Sequence, residues 1–239
     1  MINCRTSIEH WAMTEPFEIA REVITDLPVL MLGLADEQGH AGRAEAAGVD
    51  YDGETPHSMA GQIAGVLDHL HDDMSGADLM RLLPAGGARN ALDCALWDLR
   101  AKQTGVPAWR QAGLTGLKPV ITAYTIGLGD EATTRRKLRA ARQYPLLKLK
   151  VDAQRHVDIV RMARQEHPQA RLMVDANQAW SRALLLELLP ELAALGVELV
   201  AQRCRYVDLD GPLLQQLDRA TPMHFHDGLI EPPSAALWG

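Results

Sequence analysis

From residue 119 onward the sequence repeats, and the repeat then stops. Short apolar runs begin near Ile121, Leu147, Leu172 and Glu198, spaced by 26, 25 and 26 residues, and the first three are followed by charged amphipathic segments such as 131–142. A constant βα period predicts parallel strands with helices packed outside them. A doubly wound open sheet and a (β/α)8 barrel both satisfy that pattern. The open sheet usually carries a Gly-rich phosphate loop after its first strand. Here Gly127-Leu128-Gly129 lacks the third glycine and reads more readily as a plain turn. Eight units at this period need on the order of 200 residues, whereas Pro119 to Gly239 supplies 121. After Val200 the polar run Ala201-Gln202-Arg203-Cys204-Arg205 breaks the periodicity. The expectation is a half-sized sheet or a barrel with pieces missing.

The part before Pro119 reads differently. Val29 to Leu34 is an apolar run ended by the turn-forming Asp36-Glu37-Gln38-Gly39, so residues 1 to about 50 predict a hairpin or three-stranded meander. Ile63, Val66, Leu67 and Leu70 fall at helical spacing, and a second helix carries Leu79, Leu82 and Leu83 before Pro84. In 89–103, Ala91, Leu92, Ala95, Leu96 and Leu99 form one stripe, closed by Gly105 and Pro107. This half is an α+β unit. The expected domains are 1–118 and 119–239.

Charge and composition narrow the partners. With 24 Lys+Arg against 31 Asp+Glu, the net charge is −7 and 47% of residues are apolar. Such a chain is too apolar for disorder and too acidic for a nucleic-acid binder. No stretch has the roughly 18 apolar residues of a membrane span, and the opening MINCRTSIEHW has no secretory signature. A cytoplasmic location is expected, with no membrane partner. Cys4, Cys94 and Cys204 form no CxxC pair, so they read as reduced structural thiols.

Several strand ends carry chemistry. In Leu147-Lys148-Leu149-Lys150-Val151, period two places both lysines on one face. On an enclosed face, desolvation and mutual repulsion would lower a lysine pKa toward the range of a general base; at a solvated strand end they would not. One period later, Asp175 and Asn177 sit at i and i+2, oxygen ligands suited to Mg²⁺ at a barrel's C-terminal rim, unless Asp175 is an ordinary loop cap. Lys150 and Asp175 are 25 residues apart, so one rim can hold both. Asp208 and Asp210 again share a face, either to bind an ammonium group or as a solvated strand end. His69/His71 and His224/His226 have the wrong spacing for helical metal pairs, and the second pair fits a half-exposed strand.

Three of these motifs together resemble a known family. Gly87-Ala88-Arg89-Asn90-Ala91-Leu92-Asp93, Lys148-Leu149-Lys150 and Asp175-Ala176-Asn177-Gln178-Ala179-Trp180 are similar to the enolase superfamily (mandelate racemase/muconate lactonizing enzyme-like), specifically its dipeptide epimerases of the L-Ala-D/L-Glu type. The resemblance implies an α/β fold: an N-terminal α+β capping domain followed by a (β/α) TIM-type barrel, incomplete here. It implies Mg²⁺-dependent epimerisation by 1,1-proton transfer through an enediolate. Lys150 would be one acid/base with Lys148 assisting, and Asp175 the first of three carboxylate ligands. Asp208 and Asp210 would receive the dipeptide's ammonium group. The loop around Pro16 to Asp26 would select the side chain, with Arg21 either pairing an acidic group or lying at the surface.

The resemblance also exposes a departure. After Val197-Glu198-Leu199-Val200 the family continues with a metal-binding Glu, and here Ala201 stands in its place. From Ala201 onward the chain resembles the approach to the family's eighth strand and its tail. An internal deletion accounts for this, removing two metal ligands and the opposing lysine of the sixth strand. Impaired catalysis is the expectation. The alternatives are a non-catalytic remnant that binds dipeptides weakly or not at all, and a cycloisomerase or dehydratase of the same superfamily. The uncovered strand edge and inward apolar residues are a liability unless another subunit, in a homo-oligomer, or a rearranged terminus covers them.

Overall fold

The computed structural model describes residues 2–20, 22–49, 53–71, 73–177, 179–201 and 224–226, the last three by their backbone. The chain folds into two compact units, one of residues 1–14 and 25–119, the other of 15–24 and 120–239.

The chain begins with β1 (Asn3–Ile19), β2 (Glu22–Ala35) and β3 (Ala41–Ala46), in the order β1-β2-β3, of which all but 15–24 belongs to the first unit. β2 and β3 are antiparallel, with Leu32 opposite Ala44 and Leu34 opposite Gly42. Alternation along β2 buries Leu30, Leu32 and Leu34. Four helices follow: α1 (Pro56–Ala64), α2 (Gly76–Leu82), α3 (Gly87–Thr104) and α4 (Ala108–Gln111). Thr55 and Ser75 start α1 and α2 with reciprocal capping boxes. The expected stripe of α3 is buried from Ala91 to Leu99, and Gly105 ends it in the left-handed conformation at φ 68°. Helical spacing through Leu70 predicted one continuous helix. Instead α1 stops at Gly65, and a short 3-10 turn at Leu67–His69 carries the chain on.

A carboxylate cage secures the β2–β3 turn. Asp36 accepts the backbone N–H groups of Gln38 (3.0 Å) and His40 (2.8 Å), the Gln103 amide (2.9 Å), and pairs with the His40 ring at 2.7 Å. Burial alone would raise its pKa, but the hydrogen bonds from Gln103 and His40 prevail and bring it down to about 2. A depressed folded-state pKa contributes stability that is complete above the unfolded value of about 4 and is lost as pH falls through about 2. Asp36→Asn should therefore flatten the pH dependence of the urea midpoint between about pH 4 and 2. An unchanged slope in the variant would remove Asp36 as its source.

The second unit is built by the repeat. Strands β4 (Tyr124–Ile126), β5 (Leu146–Lys150), β6 (Arg171–Asp175), β7 (Val197–Ala201) and β8 (His224–His226) pair in sequence order, every pair parallel. Helices α5 (Glu131–Ala140), α6 (Val157–Glu166) and α7 (Arg182–Ala194) connect the first four. Order without reversal is the succession of a barrel wall; a doubly wound sheet would reverse at a switch point. The helices pack on one face, where Ile126, Leu147, Leu149, Leu172, Val174 and Val200 are buried with Leu138, Val160 and Leu192. On the other face, Thr125, Lys148, Met173 and Leu199 lie in one register row and are half-buried. β6 and β7 slip by one residue: Leu172 opposes Val197 and Met173 opposes Leu199, leaving Glu198 as the extra residue of a bulge.

Within this unit the Arg164 guanidinium donates to the carbonyls of Leu195 (2.9 Å), Pro168 (3.0 Å), Ala170 (2.8 Å) and Gly196 (3.2 Å). It ties the chain ends that feed β6 and β7 to the last turn of α6. Among the described residues no helix is long and apolar enough to cross a membrane.

Candidate functional site

The C-terminal ends of β5, β6 and β7 bring the sequence's titratable residues together. Register places Lys150 beside Asp175, and Asp175 beside Ala201. Lys148 and Lys150 do share a face, and both ammonium groups reach one oxygen: Asp175 Oδ2 lies 2.8 Å from Lys150 Nζ and 2.9 Å from Lys148 Nζ. Lys150 and Asp175 are 9% and 8% exposed, so these charges interact with little solvent screening. The carboxylate between the lysines counters the mutual repulsion that the sequence pattern alone implied. Burial pushes the Asp175 carboxyl up, but hydrogen bonds and charge from Lys150 and Lys148 outweigh it and hold the carboxyl below the usual carboxylate range.

Asn177 has a part that sequence reasoning did not assign. Its side-chain oxygen accepts from Lys150 Nζ at 2.8 Å, while its backbone N–H donates to Asp175 Oδ1 at 3.0 Å. To do both it adopts φ 47°, left-handed backbone that Asn tolerates better than most residues. The amide read from sequence as a cation ligand is thus engaged with the lysine. The Asp-x-Asn spacing was the available signal, because an Asp side chain readily accepts the N–H two residues on. Behind the site, Trp180 is buried and donates Nε1–H to the Asp152 carbonyl at 3.1 Å.

The hairpin segment 15–24 belongs to this second unit. Leu128 N–H donates to the Glu18 carbonyl at 2.8 Å, just past the C-terminal end of β4, and Phe17 packs over Gly127. Glu15 pairs with Arg136 at 3.1 Å and Glu18 with Arg155 at 3.7 Å. Of the other expected site residues, Arg21, Asp208 and Asp210 lie outside the described residues.

The described residues do not complete a magnesium site. A hard divalent cation takes about six oxygen ligands, whereas this rim offers one carboxylate, and its Oδ2 already holds two ammonium groups. The next strand presents Ala201 beside it, and among the described residues no three His, Cys, Asp or Glu side chains cluster as metal ligands.

Comparison with known proteins extends the picture. Residues 1–113 match the family described as mandelate racemase / muconate lactonizing enzyme, N-terminal domain, and residues 130–234 match the enolase C-terminal domain-like family. The chain is 35% identical over 196 residues to the L-Ala-D/L-Glu epimerase of Escherichia coli (strain K12), an alignment covering 81% of this chain and 61% of that one. A solved L-Ala-D/L-Glu epimerase aligns with TM-score 0.77 at 30% identity over 94% of this chain and 68% of the other. The dipeptide epimerase from Methylococcus capsulatus, complexed with Mg and the dipeptide L-Arg-D-Lys, aligns with TM-score 0.73 at 27% identity over 83% and 60%. The chain therefore spans about three fifths of the curated relative's length.

Proposed function

The chain belongs to the enolase superfamily, in its mandelate racemase / muconate lactonizing enzyme branch, and from that membership we propose that the β5–β6 rim is one half of a dipeptide-epimerase centre. The observation that carries the reading is the convergence of Lys148 and Lys150 on Asp175, with Ala201 in the register position where the family resemblance expects a second carboxylate. The substrate class is a dipeptide, and the reacting group is the α-carbon C–H of its C-terminal residue. Lys150 Nζ takes that proton as the neutral amine and returns it as the ammonium. Lys148, beside it, supplies positive charge toward the enediolate that forms. Asn177 fixes where Lys150 Nζ lies. Asp175 stands where the first magnesium ligand is expected; with no second carboxylate beside it among the described residues, no step is assigned to a metal.

One lysine set serves one face of the α-carbon, whereas inversion requires an acid on the opposite face. A single chain is therefore an impaired epimerase. The test is incubation of a dipeptide library with Mg²⁺ in D₂O, read by mass spectrometry for deuterium at the α-carbon. Lys150-dependent incorporation is expected, falling by about 10³-fold in Lys150→Met, the scale of a lost general base. A second reading, a remnant without catalysis, is favoured by the engagement of both Asp175 oxygens within the chain. Absence of exchange from a cooperatively folded sample would establish that remnant and end the epimerase reading.

A further inference from the structure

We infer that the chain completes its barrel wall, and with it the opposite side of the active site, by two-fold pairing with a second copy of itself. The inference rests on the epimerase-type site proposed above and adds what faces it.

Among the described residues the second unit is an open, all-parallel, five-stranded sheet, with β4 at one edge and β8 at the other. Parallel sheets are ordinarily covered on both faces. Here helices cover one face, and the Thr125-Lys148-Met173-Leu199 row on the other remains half-buried. The β4 edge is also unfinished. The apolar run was expected to pair from about Ile121, yet pairing begins at Tyr124, opposite Leu147, because β5 starts only at Leu146. The residues that overhang are apolar and bare: Val120 is 89% exposed and Ile121 55%. They have the composition of a paired strand without a described neighbour.

A second copy suits these features for a reason of polarity. Closing a parallel sheet into a ring needs a partner that offers a β8-type edge to this β4 and a β4-type edge to this β8, all strands running the same way. A copy rotated about the wall's axis offers both at once, through two equivalent seams. Two five-stranded walls make ten strands, a wider ring than the usual eight. The same rotation carries the partner subunit's Lys150 to the opposite side of the mouth, facing the α-carbon from the side that a single chain leaves unserved. Among the described residues each rim gathers two ammonium groups around one carboxylate, Asp175, positive charge that suits a substrate carboxylate and its enediolate.

The test uses sedimentation equilibrium on the whole chain together with chiral analysis of dipeptides after the D₂O incubation. A species of twice the chain mass is expected, with inversion as well as deuterium uptake. Val120→Lys/Ile121→Lys, at exposed positions where a charge blocks edge pairing, should yield a folded monomer by circular dichroism. That monomer should lose inversion and keep exchange on one face. Heterodimers of native and Lys150→Met chains should exchange deuterium without inverting. A native chain that stays monomeric while exchanging deuterium overturns the assembly and leaves the epimerase reading in place. A dimer that exchanges nothing overturns the epimerase reading and leaves the assembly. A double-lysine variant that remains dimeric overturns the proposed seam.

Discussion

Gly42→Val should strongly destabilise the first unit. At this position β3 passes so close to α3 that a Cβ would collide with the Ala95 carbonyl oxygen and stand 2.7 Å from Leu99 N and 2.8 Å from Leu99 Cβ. Two of these are backbone atoms of a helix whose inner stripe is fully buried, so neither can swing aside. The strand is also held to α3 on either side of the glycine. Arg43 N–H donates to Asp98 at 2.8 Å, and Lys102 spans Asp98 and the Ala41 carbonyl, both at 2.7 Å. Strand and helix cannot separate without breaking those bonds, so a cost of about 4 kcal/mol is expected, at the upper end for overpacking. Gly61→Ala is the matching control. That glycine lies within α1 with nothing within 4 Å of its Cβ position, and alanine there should stabilise by about 0.5–1 kcal/mol. Urea unfolding followed by circular dichroism reads both. A Gly42→Val protein with the native midpoint would show that β3 and α3 are not in this contact.

The second large effect is expected at Asp175. Asn in its place keeps the shape and removes the charge, leaving two ammonium groups gathered around a neutral amide. Breaking a buried pair by deleting one sign costs several kcal/mol, because the remaining charge is uncompensated. Lys148 is partly exposed and can turn toward water, so about 3 kcal/mol is expected for the second unit. Lys148→Met on the Asp175→Asn background removes one of the stranded cations and should recover more than about 1 kcal/mol, a non-additivity that independent surface residues would not show. A loss below about 0.5 kcal/mol for Asp175→Asn alone would mean that the three groups do not form a charge-compensated cluster.

Period made much of this molecule legible. The 25-residue step between Lys150 and Asp175 is one βα unit, and the structure sets the two side by side in adjacent strands. Period two along β5 put Lys148 on the same face, where its ammonium meets the same oxygen. Gly105 was legible because a left-handed cap demands a residue without a Cβ. Other features depend on neighbours far away in the sequence. The late start of β4 follows from where β5 begins, which no residue of 119–126 encodes. The helical pattern through Leu70 recorded burial at Ile63, Val66 and Leu70 but not at Leu67, which is exposed, and it misread the conformation, because a 3-10 turn delivers the last of them. The assignment of 15–24 to the second unit depends on backbone bonding to Leu128, which side-chain pattern does not reveal. Asn177 was visible as a residue type and hidden as a conformation.

The one-residue slip at Glu198 has a consequence for how this strand tolerates change. Upstream of it β7 pairs in one register and downstream in another, so the extra residue is taken up at the strand's entrance, where Glu198 meets Arg171 at 2.7 Å. Residues gained or lost on that side are absorbed before the chain reaches Val200 and Ala201. The aim of position 201 toward Asp175 is thereby insulated from length variation in α7 and its turn. Evolution could shorten or lengthen the approach with little effect on the rim.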